Sequence, residues 1–411
     1  MLFYSISVIK KFQLSLNLRS KNILIFILSP FLSIPFIIEG IVKKRDYNLY
    51  LLAALIGVVS YLFVPLETND KAVYYSYYDN FKTIDFSSFI DFLTFNPDFI
   101  FYGLIYSFAK LNIKIELLFL VLTSFTTSIY LWFFIKFKFK QIVSGQIYLM
   151  FVLGVLFSLS LDTLLSGIRF NLAIALIILS FQKIFFEKKI IIGYLFLLFS
   201  VFTHFSFAVF IPFVLLLNLF INKTLLFKMM FLGSFIFLLI PKNVLISSIP
   251  FLDTLEVLET KGNVYLNGEE DFLSNNLKNG NTNNFVVFFI STLWVYLSYF
   301  YIFFTFRHKS IIRNIIFIIF SISNFFYQFP TIYTRYLLVL KIFILINIYL
   351  DFTNKKISFN VFSGFILIFS LPFLIQLYIL SPQLYAGLID LSSSTMLSIL
   401  FKKSLNFIDF L

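Results

Sequence analysis

No cysteine occurs among the 411 residues, so disulfides, thiolate nucleophiles and zinc–thiolate centres are excluded. Charge is scarce as well: 13% of the residues are charged, against ~25% in soluble domains, and 60% are hydrophobic. A chain of this composition is not a set of soluble domains; it belongs in a bilayer. The short alternating segments of a transmembrane β-barrel are missing too, because the apolar runs are long and unbroken. There is no Walker A loop, no Asp-x-Asp pair, no His-Glu-x-x-His and no nucleophile elbow. Nucleotide hydrolysis of the Walker type, metal catalysis and classical hydrolase chemistry lose their support.

What is present is an all-α polytopic membrane protein, with room for about 11–12 transmembrane helices at ~20 residues per crossing. Apolar segments fall at roughly 23–38, 48–65, 115–135, 142–160, 169–186, 190–203, 206–221, 226–240, 285–306, 311–329, 336–350 and 357–380. The 32 Lys and Arg exceed the 20 Asp and Glu, giving a net charge of +12, which in a soluble chain would suggest nucleic acid. Here the excess orients the chain and calls for no nucleic-acid partner. Short connections rich in positive charge hold Lys43-Lys44-Arg45, Lys136/Lys138/Lys140, Lys188-Lys189, Lys223 with Lys228, Arg307/Lys309/Arg313 and Lys355-Lys356, at every second turn. Placing all six in the cytoplasm gives one alternating path. Residues 1–411 then form a single membrane domain with two larger extracytoplasmic loops, 66–114 and 241–284. The turns at Asp162 to Arg169, at His204 and at Pro330 to Arg335, and the tail from Ser381, fall on the same outer face.

The first apolar segment is the misfit, because it leaves Lys10, Lys11, Arg19 and Lys21 on the wrong side. An interfacial helix over 1–21, or a segment that turns back at Pro30 and Pro35, would remove the conflict. A cleaved signal peptide is disfavoured, since no small-x-small site follows the apolar run.

Only six of the basic residues are Arg, and two of them break the charge rule. Arg169, in Ser166-Gly167-Ile168-Arg169-Phe170-Asn171, and Arg335, in Tyr333-Thr334-Arg335-Tyr336, both start outer helix ends. A guanidinium at the head of an apolar helix must face a cavity or an anion, or else snorkel to the interface. Two on one face favour function, and guanidinium suits bidentate binding of phosphate. They are expected to line one outward-opening cavity. Lys341, six residues deeper than Arg335, is a further candidate on a different face of the helix. His204 sits where two spans meet outside; its type suits either an interfacial hydrogen bond or a general base. Asp162, seven residues before Arg169, would share a helix face with it and form a local ion pair, unless Gly167 interrupts the helix.

The stretch 66–114 contains Asp70, Tyr74 and Asp98 among clustered tyrosines and acids, materials of a carbohydrate surface and also of an ordinary membrane interface. A helix along the interface is expected from Phe99 to Leu111. The Asn- and Gly-rich 261–284 reads as a mobile cover, and both loops are expected to fold over the Arg169 and Arg335 opening.

These residues together resemble the EpsG/Wzy-type O-antigen and exopolysaccharide polymerases. Ser166 to Ile178 is similar to that family's Ile-Arg-Gln helix opening, Thr203-His204-Phe205-Ser206 to its His turn, Asn69-Asp70 to Tyr74 and Pro97-Asp98-Phe99 to its outer-loop features, and Arg335-Tyr336 to its late Arg. Phe170-Asn171 stands where the family has Gln, and Asn96 where an acid often precedes Pro. The resemblance implies a metal-independent membrane glycosyltransferase without cofactor, in the bacterial inner membrane with its site on the extracytoplasmic face. The implied reaction transfers a growing glycan from undecaprenyl diphosphate to a hydroxyl of the next lipid-linked repeat unit. His204 and then Asp70 are its candidate bases; Arg169, Arg335, Lys341, Tyr74, Asp98 and Asn171 are its candidate substrate contacts. Its implied partners are the lipid-linked oligosaccharide, the bilayer and a chain-length regulator. A lipid-linked oligosaccharide flippase is the alternative from another class, although such transporters usually show two related halves, which this sequence lacks. A third class, a transferase using polyprenyl phosphate sugars with an acid in its first outer loop, is kept open by Asp70.

Overall fold

The first apolar segment does not cross the bundle. In the computed structural model, which describes residues 18–67, 69–137, 139–247 and 282–401, helix α1 (Leu18–Leu28) stops at Ser29 and α2 (Pro30–Val42) starts directly after it. Proline tolerates the first helical position, and the residue before it is driven out of the helical region, here to φ −158° and ψ 107°. The Ser29 hydroxyl then accepts from the Leu32 N–H. Both arms return to the same residue at the start of α3 (Tyr47–Leu62): the Asn22 amide donates to Asn48 Oδ1 at 3.0 Å, and a Cβ on Gly40 would stand 2.1 Å from Asn48 Nδ2. The segment is therefore a hairpin that turns back. Arg19 and Lys21 fall on the side of Lys43-Lys44-Arg45, which removes the charge conflict; Lys10 and Lys11 lie outside the described residues.

The other apolar segments coincide with helices. After helices α4 (Asp70–Thr83), α5 (Phe86–Phe95) and α6 (Phe99–Lys110) come α7 (Ile115–Ile135) and α8 (Gly145–Ser158), then the short α9 (Leu161–Leu165). Next are α10 (Ile168–Phe181), extended by a π-helical turn through Phe186, α11 (Ile190–Thr203), α12 (Phe210–Leu219) and α13 (Thr224–Ser234). The chain continues with α14 (Lys242–Ser247), α15 (Thr282–Phe304), α16 (Ile311–Phe325), α17 (Pro330–Thr353), α18 (Phe359–Ile379), α19 (Ser381–Ser393) and α20 (Met396–Phe401). No strand occurs among the described residues. Among the described residues, four helices, α7, α10 with its extension, α17 and α18, are long and apolar enough to cross a membrane by themselves. Buried almost throughout, α10 and α17 form the centre, whereas α18 turns most of its surface outward. Gly57 lets α3 and α7 touch: a Cβ there would lie 2.6 Å from the Leu120 carbonyl oxygen.

Three turns at the basic end use lysine in the left-handed conformation: Lys44, Lys188 and Lys355, at φ 58°, 59° and 57°. Each is followed by an N–H that reaches back to a helix carbonyl, Arg45 to Gly40 at 2.9 Å, Lys189 to Lys183 at 2.8 Å and Lys356 to Asp351 at 2.8 Å. Glycine would avoid a cost of ~1–2 kcal/mol, but lysine sets a cation against the last carbonyls. The lysines that the charge rule expects to orient the chain are thus also ones that end its helices. Lys44 Nζ donates to the Val143 carbonyl at 2.6 Å, and Glu187 collects Lys183 at 2.7 Å and Lys136 at 3.5 Å. Buried Arg313 donates to Asp351 at 2.8 Å and to the Thr305 carbonyl at 2.5 Å, fastening α15, α16 and α17.

The absence of cysteine makes the topology directly measurable. Single-cysteine variants Lys21→Cys, Lys43→Cys and Lys355→Cys should react with a membrane-impermeant maleimide only after the bilayer is opened, whereas Asp79→Cys should react in intact cells. Labelling of Lys21→Cys in intact cells would contradict the hairpin.

Candidate functional site

At the opposite end, three distant stretches meet on one carboxylate. Asp98 precedes α6 and is almost wholly buried. Its Oδ2 accepts from Arg169 Nη1 at 2.9 Å and its Oδ1 from the Phe205 N–H at 2.7 Å. The same Nη1 donates to the Tyr102 hydroxyl at 2.9 Å, one helical turn beyond Asp98. Arg169 is therefore ion-paired, and its partner is Asp98, not Asp162 as helix spacing suggested. The reason is local: Ser166 and Gly167 separate α9 from α10, so the seven-residue spacing does not run along one helix.

Asp162 belongs to α9, whose first N–H groups are held by Gln376 of α18: Oε1 accepts from Leu161 N at 2.7 Å and Asp162 N at 3.3 Å. Burial, and after it the charge of Asp70, pushes the Asp162 carboxyl above the usual carboxylate range. Asp70 opens α4, and Tyr74 follows one turn later on the same face. The Tyr74 ring is buried edge-on against Phe101 at 4.7 Å, and its hydroxyl has no hydrogen-bond partner among the described residues. Arg169, Asp70, Tyr102 and Asp98 are the charged and polar groups acting on that hydroxyl.

His204 ends α11, and its Nδ1 accepts from the Ser206 N–H at 3.4 Å, with Ser206 Oγ at 3.0 Å. The imidazole lies edge-to-face with Phe170 at 5.5 Å. The Arg335 guanidinium also lies against that ring, 5.5 Å from the Phe170 centroid. The next residue, Tyr336, donates to the Ser206 carbonyl at 2.7 Å. The heads of α10 and α17 and the His204 turn thus share one locus.

Other sequence candidates lie elsewhere. Asn171 is two positions past Arg169, about 200° around the helix, and its Oδ1 accepts from the Tyr130 hydroxyl of α7 at 2.6 Å. Lys341 is buried with its ammonium over the Trp294 and Phe369 rings, at 5.2 and 5.9 Å, so it faces α15 and α18 while Arg335 faces α10. The helix expected from Phe99 is α6, docked on α4 and α11 with Phe101 and Ile105 fully buried. The tyrosine stretch packs on itself: Tyr77, Phe92 and Tyr102 meet edge to face at 5.1–5.5 Å. It serves more as a frame for Asp98 than as an open platform. The expected cover over 261–284 lies outside the described residues up to 281.

Tyr102, Gln376 and Lys71 carry parts of this geometry that the sequence reading missed. Only Tyr102 had a signal, its four-residue spacing from Asp98. Lys71 is fully buried and donates to the Ser60 and Phe63 carbonyls at 2.5 and 2.9 Å, closing the end of α3 and fixing α4 beside it. Burial pushes its ammonium down to about 7, against an opposing pull from Glu116.

Residues 66–389 match the EpsG family. The match contains every group of this site and leaves out the α1–α2 hairpin and α3. No curated protein and no solved structure matches the chain.

Two predictions follow from the packing. Because Lys71 titrates near 7 when folded and near 10.5 when unfolded, the unfolded chain holds the extra proton between those values, and stability rises with pH across that window. Melting temperature of the solubilised protein should therefore climb from pH 7 towards pH 10, and Lys71→Met should flatten this dependence. Asp98→Ala strands the Arg169 charge and should cost about 3–5 kcal/mol, read as earlier unfolding and faster proteolysis of 66–114. Asp98→Asn, which can still accept from Phe205, should cost less.

Proposed function

The chain belongs to the EpsG family and is a multi-pass membrane protein of polysaccharide-polymerase type; from that premise we propose that it transfers a growing glycan from undecaprenyl diphosphate to a hydroxyl of the next lipid-linked repeat unit, at the outer face of the bacterial inner membrane. The observation that carries the proposal is that Arg335 lies over the ring of Phe170, the neighbour in sequence of the Asp98-paired Arg169, at the end of the bundle away from the basic turns. As the bond between the anomeric carbon and the phosphate oxygen breaks, the diphosphate leaves with the electron pair, and cations placed there stabilise the developing charge. The bonds from Nη1 to Asp98 and Tyr102 fix the plane of the Arg169 fork before any substrate arrives. The acceptor oxygen forms the new bond to the anomeric carbon, and its proton passes to a base on the carboxylate side, Asp70 with Asp162 beside it. Tyr74, whose buried hydroxyl has no hydrogen-bond partner among the described residues and feels the charges of both Arg169 and Asp70, suits a contact to a sugar hydroxyl.

Glycan analysis of a strain lacking this chain tests the reading. Loss of a polymerase leaves single repeat units at the surface, whereas loss of a flippase leaves none outside. Arg169→Lys and Arg335→Lys, which keep charge and lose the planar fork, should each shorten the polymer severely in protein that still reaches the membrane. Full-length polymer in both variants would contradict bidentate phosphate binding.

A further inference from the structure

His204 lies in the same frame as the two arginines, and its backbone contacts settle which ring nitrogen carries the proton. The Ser206 N–H, which can only donate, points at His204 Nδ1 from 3.4 Å, and Ser206 Oγ lies 3.0 Å from the same nitrogen. Nδ1 is therefore the lone-pair nitrogen, and in a neutral ring the hydrogen must sit on Nε2. A proton added to Nδ1 would break this cap at the head of the 3-10 turn Phe205–Val209. It would also place a second cation against the Phe170 ring that already carries Arg335, and one residue from the Phe205 N–H that Asp98 holds together with Arg169.

We propose that His204 acts as a neutral hydrogen-bond donor, offering Nε2–H to the departing diphosphate beside Arg169 and Arg335, and is not the base that takes the acceptor's proton. The inference rests on the transfer reaction proposed above and divides its labour. Donors and cations, His204, Arg169 and Arg335, gather on the leaving-group side, and the proton of the acceptor hydroxyl goes to the Asp70 and Asp162 carboxylates. A neutral ring with a hydrogen on Nε2 has no basic nitrogen other than the Nδ1 engaged by Ser206, so it donates at neutral pH without needing to change protonation during the reaction.

The chain has only two histidines, which permits a direct test. In the full-length protein carrying His308→Gln and 15N-labelled histidine, nitrogen resonances report His204 alone. The expected spectrum at neutral pH shows a protonated Nε2 and a bare Nδ1; a proton on Nδ1, or a cationic ring, overturns the proposal. Activity supplies a second arm. His204→Gln retains an N–H donor near the Nε2 position and cannot serve as a base, so its polymer formation should exceed that of His204→Ala by roughly tenfold or more. His204→Asn keeps the cap acceptor but falls short of the ligand, and should lose roughly ten- to hundredfold, as expected for one hydrogen bond to a charged group. A His204→Gln protein that is folded by its NMR spectrum and as inactive as His204→Ala overturns the donor role. Should the strain lacking the chain still polymerise, the transfer reading fails while the tautomer remains measurable, so the two failures are distinct.

Discussion

The carboxylate of Asp98 is the constraint on which the site end of the bundle depends. Arg169 begins an apolar helix, where a guanidinium facing lipid would cost several kcal/mol. Asp98 supplies the countercharge from 71 residues upstream, and its second oxygen takes the Phe205 N–H from the turn that carries His204. One buried group thereby registers α6, the head of α10 and the α11–α12 turn. Such a pair is costly to desolvate and stabilises only when its remaining bonding capacity is met. Both carboxylate oxygens are engaged, and Tyr102 joins the guanidinium, which meets that condition.

The two ends of the bundle solve different problems with the same residue types. At the basic end, Arg313 and Asp351 are sealed among α15, α16 and α17, with Tyr301 and Asn347 completing the network. That arrangement fastens helices and offers nothing to a ligand. At the opposite end, Arg335 instead lies over the Phe170 ring, which His204 meets edge to face. Anchoring α17 at its inner end holds Arg335 at its outer end, since the helix between them is buried and continuous.

How much of this was legible follows from the range of each signal. Helix positions and the lysine-bearing turns that end three of the helices were readable because apolar periodicity and turn residues are local signals. Ser29-Pro30 marked a break, but only the return of Asn22 and Gly40 to Asn48 shows that the break is a hairpin. Arg169 and Arg335 stood out because they violate the charge rule, which needs no knowledge of contacts. Their surroundings were not readable: Asp162 looked like the partner of Arg169 by helical spacing, and the chain breaks that helix at Gly167 and brings in Asp98. Lys341 and Asn171 were flagged by residue type, and helix geometry turned both away from Arg169 and Arg335. The tautomer of His204 depends on a cap two residues long, a detail that composition and spacing do not encode.

The most direct test of the account is the structure of the full-length protein in a lipid nanodisc with undecaprenyl diphosphate bound. The account requires the two phosphates to lie within hydrogen-bond distance of both Arg169 and Arg335, with Asp98 still holding Arg169. Phosphates seated elsewhere, for example against Lys341 between α15 and α18, or an Arg335 turned away from the diphosphate, would contradict it.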